Sequence, residues 1–230
     1  QDIYLTGNPQ ITFFKVVYRR HTNFAVESIE QTYNGSLNSK VSVTVSRNGD
    51  LLSGVWLDLG TTFVLDTDAA TGGNQSYTGS TNVYEFLDNV EVEIGGQVID
   101  KQYSEWMQMW VDLTHNQDQA ALLTKCRTTG TLDNTNVTTG TGSVPLLFWF
   151  CRNPGLALPL IALQYHEVKL NISFAATAPT ACTVWCEYVF LDTDERRRFA
   201  QVSHEYLIEQ VQFSNKLTAS PGSNQVELRF

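Results

Sequence analysis

Hydrophobic and polar positions alternate with a period of two over most of the chain, which predicts strands. Val41, Val43 and Val45 alternate with Ser42, Thr44 and Ser46, and Asn48-Gly49 follows. Asn-Gly is the strongest short hairpin signal, so Lys40–Leu57 reads as a hairpin. Arg47 then faces Asp50, Val45 faces Leu52, Val43 faces Gly54 and Val41 faces Trp56. A second hairpin has Val90, Val92 and Ile94 before Gly95-Gly96, with Gln97–Asp100 returning and Val92 opposite Ile99. Val168, Leu170, Ile172 and Phe174 form the inward set of another strand. Thr183–Leu191 puts Val184 and Cys186 on one face, Trp185 and Glu187 on the other. Ile11–Tyr18, after the Gly7-Asn8-Pro9 turn, is apolar on both faces, which predicts a strand covered on both sides. Phe14→Asp is accordingly expected to abolish soluble folding. Phe24-Ala25-Val26 starts the next strand.

The period changes at Tyr103. Tyr103, Trp106, Met107, Trp110 and Val111 fall on one face of a helix running to Leu113. A second helix is expected over 118–125. Asp194 is read as the cap of a third that begins Glu195-Arg196-Arg197-Arg198. Leu146–Phe150 is a near-continuous apolar run, read as a buried strand, and Asn153-Pro154-Gly155 as a turn. Leu156–Leu163 fits a short helix or an irregular strand around Pro159, and Tyr206–Phe213 resumes strand character. Two polar stretches, 67–82 and 127–144, carry no hydrophobic period and read as long exposed loops. About eight strands with long connections give an all-β fold: an antiparallel jelly-roll β-sandwich with one or two inserted helices.

Composition narrows the function. An apolar share of 42% supports a full core. A net charge of −9 argues against a surface that neutralises phosphates, so no direct nucleic-acid contact is expected. The arginine triplet is then a linker whose charges pair with neighbouring carboxylates or subunits. No apolar run approaches the roughly 20 residues of a membrane helix.

Candidate chemistry is sparse. His21, His115, His166 and His204 are scattered, and no hydrolase, phosphate-loop or metal-ligand motif is present. No catalytic, cofactor-binding or metal-ligating residue is nominated, no cofactor is expected, and the chain is read as a non-enzyme. Cys126, Cys151, Cys182 and Cys186 read as free buried thiols. Cys182 and Cys186 would stand roughly 13 Å apart along one strand, too far for a disulfide. Asn34, Asn74, Asn136 and Asn171 lie in N-x-S/T patterns. Asn74 and Asn136, in the polar loops, are the candidate glycan sites.

The run Leu5–Ala25 resembles the start of the major capsid protein of the nucleocytoplasmic large DNA viruses, the double jelly-roll family. Further matches follow in the family's order: Ser46–Leu51, Ile94–Gln97, Phe150–Pro159 and Leu207–Gln212. The resemblance implies the first of two jelly rolls, and a structural protein of an icosahedral shell. It assigns residues 1–194 to the N-terminal roll, 195–204 to a linker and 205–230 to the start of the second roll. The chain is thus expected to be a fragment, or the ordered part of a longer protein. The implied partners are two further copies in a homotrimeric, pseudo-hexagonal capsomer, then neighbouring capsomers and minor capsid and penton proteins. The implied place is the virion, with assembly in the host cytoplasm. The polar loops would project outward, as candidates for host-surface contact. The alternative is a free-standing, lectin-like carbohydrate-binding module using the loops or the Trp106–Trp110 region. A third reading, a cupin-type metal enzyme, lacks a ligand cluster.

Overall fold

The computed structural model describes residues 22–66, 76–77, 83–116, 129–130, 137–175, 179–214, 221–222 and 225. The predicted strand Ile11–Tyr18, the helix 118–125, Asn74, Asn136, His21 and Cys126 lie outside these residues.

Strands run in chain order as β1 (Phe24–Gln31), β2 (Tyr33–Gly35), β3 (Lys40–Thr44), β4 (Leu51–Asp66), β5 (Ser76–Tyr77) and β6 (Leu87–Ile94). They continue as β7 (Gln97–Tyr103), β8 (Thr129–Gly130), β9 (Val137–Pro145), β10 (Leu158–Pro159), β11 (Val168–Phe174) and β12 (Ala181–Leu191). The helices are α1 (Ser104–Thr114), α2 (Trp149–Arg152) and α3 (Thr193–Gln201). One sheet has the order β1-β12-β4-β9-β8, with β5 and β10 also on β4; the other has β2-β3-β11-β6-β7. Apart from the β6–β7 pair, successive long strands cross between the sheets, which is the winding of an antiparallel jelly roll. The core lies between them, with Val41, Val43, Val90, Val92, Leu170 and Ile172 from one side. Leu52, Val55, Leu57, Val184, Cys186 and Tyr188 come from the other.

The second predicted hairpin forms. Gly95 and Gly96 take φ values of 60° and 86°, the left-handed pair such a turn needs. A register shift inserts Ile99, so Val92 pairs with Asp100. The first predicted hairpin does not form. β3 pairs with β11 (Val43↔Leu170, Val41↔Ile172), and β4 pairs with β12 and β9. Residues 45–50 instead carry the chain from one sheet to the other. Arg47 donates to the Gln164 carbonyl, and to those of Leu163 and His166 at 2.7 and 3.3 Å. Asp50 turns to Leu191 and Arg196. Alternation marks which face is buried; it does not say whether the facing residue is a neighbour in the sheet or a residue across the core.

Gly49 is kept for space, not for a turn. A Cβ there would sit 2.7 Å from the Tyr188 Cβ, and Tyr188 is fully buried with its hydroxyl donating to the Ser46 carbonyl at 2.6 Å. Gly49→Ala should therefore cost about 1–2 kcal/mol in urea unfolding through overpacking. Tyr188→Ala in the same background should remove that penalty.

Further expectations are corrected. The two predicted loops hold strands: Ser76–Tyr77 is β5 on β4, Thr129–Gly130 is β8 on β9, and Val137–Pro145 is β9, laddered along β4 from Val64↔Val137 to Trp56↔Pro145. Its Thr, Gly and Ser residues give no apolar period, and the long β4 edge supplies the backbone partners instead. Leu146, Phe148, Trp149 and Phe150 are buried as expected, but the run is extended only to Phe148 and then turns into α2. α3 is capped by Asp192, whose carboxylate accepts from the Thr193 N–H at 2.8 Å, two residues before the predicted cap. The Asn153 side chain closes the expected turn onto Gly155 N at 2.9 Å. Leu156–Leu163 resolves into a 3-10 turn at Pro154–Leu156 and the short β10. Residues 206–213 form no strand in the described structure.

Candidate assembly face

The two outer faces of the sandwich differ in chemistry. On the β3-β11-β6-β7 sheet the outward rows are mostly polar, with Val98 on β7, opposite Glu93, as an exposed apolar exception. Glu91 meets Lys101 at 2.9 Å and Lys40 at 3.2 Å, and Asn171 donates to Glu93 at 3.1 Å. Asn171 is thereby buried in a side-chain network, which suits a sheet position and not a glycan. Burial works against the Glu91 carboxylate, but Lys101 and Lys40 outweigh it and hold its pKa below the ordinary 4.5. Its contribution to stability is therefore complete above that value and fades as pH falls through the lower folded-state value. Glu91→Gln should cost under about 1 kcal/mol at neutral pH, since both lysines are partly exposed, with the gap to wild type closing in acid. Urea midpoints measured across the acid range check this.

The other sheet turns apolar groups outward. Trp56 on β4 lies directly opposite Trp185 on β12, with Pro145 beyond Trp56 and Glu30 beyond Trp185. Farther along, Phe24 and Val26 of β1 lie opposite Leu191 and Val189. Trp56 is 39% exposed, Trp185 37% and Phe24 70%. Glu30, Glu187 and Asp58 share this face; Ser143 donates to Asp58 at 2.9 Å. Sequence alternation separated Trp185 from the Val184–Cys186 face, which the structure buries, but placed Trp56 inside, opposite Val41. The difference is one residue: β12 steps from Glu187↔Gly54 to Tyr188↔Leu52, so Ser53 is an extra residue and the facing inverts there. Val55, Leu57 and Leu59, taken alone, carry the signal for Trp56 outward.

The remaining candidates have structural roles. Trp106 and Trp110 touch with ring centroids 5.8 Å apart, and the Arg152 guanidinium lies 4.1 Å over the Trp110 ring. That ring face is thus occupied and offers no platform for a sugar. Arg152 also pairs with Glu209 and donates to the Leu147 carbonyl. Beside it, Val211 N–H donates to Asp100 at 2.9 Å, and Phe213 packs on Tyr103 at 4.2 Å. Residues 209–213 are so strapped along the β7 edge. His115 bonds the Val111 carbonyl, His166 covers Gly95, and His204 bonds the Phe199 carbonyl. Among the described residues no cluster of three His, Cys, Asp or Glu could hold a metal. Cys151, Cys182 and Cys186 are free, and burial pushes their thiols up to about 12, 11 and 12, so they stay protonated and unreactive. An apolar cavity of about 380 Å³ lies between α3 and the sandwich, lined by Ile94, Trp149, Leu158, Phe199 and Ile208 among others. No described helix is long and apolar enough to cross a membrane.

Comparison with known proteins gives a consistent set. The family model for the major capsid protein N-terminus matches residues 12–192. The major capsid protein of Pyramimonas orientalis virus is 49% identical over 247 aligned residues, covering 100% of this chain and 59% of the relative. That of Paramecium bursaria Chlorella virus 1 is 48% identical, covering 97% and 53%. In the quasi-atomic model of the PBCV-1 virus capsid, a chain superposes with a TM-score of 0.77 at 42% identity, covering 92% of this chain and 53% of that one. The Faustovirus major capsid protein, at 10% identity and a TM-score of 0.57, shares the fold. The chain spans about half the length of the curated relatives it matches. These relatives are structural, non-enzymatic proteins, which leaves the lectin-like reading without support.

Proposed function

Because this chain belongs to the major capsid protein family of the large DNA viruses, we propose that it is the N-terminal jelly roll of a shell subunit whose main partners are copies of itself. The observation that carries this is the unequal sandwich: one outer face is a network of ion pairs suited to water, the other exposes tryptophan, phenylalanine and valine. Burial of such a face, repeated in every copy, supplies the drive for assembly. No reacting group is needed.

In this reading residues 1–194 form the first roll, 195–204 link, and 205–230 begin the second. Three subunits make a pseudo-hexagonal capsomer, which tiles with its neighbours and with minor and penton proteins. The virion is the place of function, and the host cytoplasm the place of assembly. The stretches 67–82 and 127–136, with Asn74 and Asn136, are proposed to face outward, toward the host surface. The strap at 209–213 supports the placement of whatever follows along the β7 edge.

Sedimentation velocity of the full-length subunit tests the proposal. A trimer is expected, with six-lobed particles by negative-stain microscopy. A stable monomer at micromolar concentration would overturn it.

A further inference from the structure

We propose that the tryptophan-bearing outer face of the first sheet receives helix α3 of a second copy of this chain, with Arg197 and Arg198 seated on the Trp56–Trp185 pair and its carboxylates. This rests on the shell-subunit reading and names the surfaces that reading requires.

The receiving face combines two half-exposed indoles, opposite one another in the sheet, with Glu30, Glu187 and Asp58. None of these three carboxylates makes an ion pair among the described residues. Indole faces beside unpaired carboxylates are the surroundings a guanidinium prefers, through cation–π contact and charge-assisted hydrogen bonds together. The chain already uses this recognition once, where Arg152 stacks on Trp110 and pairs with Glu209.

The donor is the densest positive charge among the described residues of a chain whose net charge is −9. α3 has no buried residue. Arg196 is committed to Asp50 at 2.9 Å and fixes the helix to the start of β4. Arg198 reaches Glu195 only at 3.6 Å, and Arg197 makes no ion pair among the described residues. Helix and face therefore complement each other in charge, and neither complements itself. Two acidic faces, or two arginine helices, would repel across a two-fold axis. The contact must be head-to-tail, the type that closes into a ring.

The test uses the full-length subunit in sedimentation velocity and native mass spectrometry. Arg197→Glu with Arg198→Glu should weaken the trimer about tenfold or more, with an unchanged melting temperature because both side chains are exposed. Trp56→Ser with Trp185→Ser should weaken it similarly. Adding Glu30→Arg and Glu187→Arg to the arginine variant should restore assembly. Arginine variants that trimerise like wild type, or a charge swap that restores nothing, overturn this inference and leave the shell-subunit reading standing. A monomeric wild type overturns both.

Discussion

Trp149→Ala should lower the unfolding free energy by about 3–5 kcal/mol, the range for emptying a buried aromatic site. Trp149 is 2% exposed and the largest of the fully buried side chains. Its ring meets Phe150 edge-on at 5.2 Å, and Phe150 in turn contacts Phe148 at 5.7 Å. Truncation removes one member of this aromatic layer and opens the site toward the cavity beneath α3. The surroundings cannot close the gap easily, because α2 is held by the Cys151 N–H bond to the Phe148 carbonyl at 2.9 Å and by Arg152 on Leu147. Trp149→Phe should recover more than half of the loss, since the layer keeps a ring. Urea denaturation followed by far-UV circular dichroism reads both variants. A loss for Trp149→Ala below about 1 kcal/mol would mean the aromatic layer is not part of the core.

Burial at Trp149 was legible in sequence, but its geometry was not. A continuous apolar run says that a segment is covered; it carries no period to separate strand from helix. The strands β6, β11 and β12 were legible because each alternates an apolar core face with a more polar one; β7 was placed by its Gly95-Gly96 turn, since its buried positions are Asp100 and Gln102 while Val98 is exposed. Pairing was harder. Val41, Val43 and Val45 belong to one sheet and Leu52 to the other, yet all point into the same core, and the Asn48-Gly49 signal then suggested a partner that the fold does not use. β9 was missed for the opposite reason: a Thr- and Gly-rich strand is placed by its backbone ladder, which leaves no mark on side-chain pattern. The assembly face was half legible. Trp185 followed from alternation, while Trp56 needed the extra residue at Ser53, which depends on β12 lying more than a hundred residues away in sequence.

Asp50→Ala should cost about 3 kcal/mol, because one carboxylate serves several elements. The side chain is 7% exposed; it accepts from the Leu191 N–H at 2.8 Å and from Arg196 Nε at 2.9 Å. The Asp50 backbone also bonds the Val189 carbonyl at 3.0 Å and accepts from the Ile161 N–H at 3.2 Å. Alanine leaves the Leu191 N–H without its acceptor where β12 hands over to α3, and the helix loses its tether. Asp50→Asn keeps an acceptor for Leu191 and should cost roughly half as much. Double-mutant cycles then separate two architectures. In a 40–57 hairpin Asp50 would couple to Arg47, and Arg196 would be irrelevant. In the jelly roll Asp50 couples to Arg196 by less than about 1 kcal/mol, because that arginine is 56% exposed, and not at all to Arg47. Hydrogen exchange adds a spatial readout: amides of residues 191–201 should exchange faster in Asp50→Ala while those of β6 and β11 stay protected. Faster exchange confined to residues 45–50 would instead favour the hairpin. If α3 is also the element that grips the next copy, the loosened tether should weaken assembly even though Asp50 itself is buried. That effect should disappear in the background where Arg197 and Arg198 are already reversed.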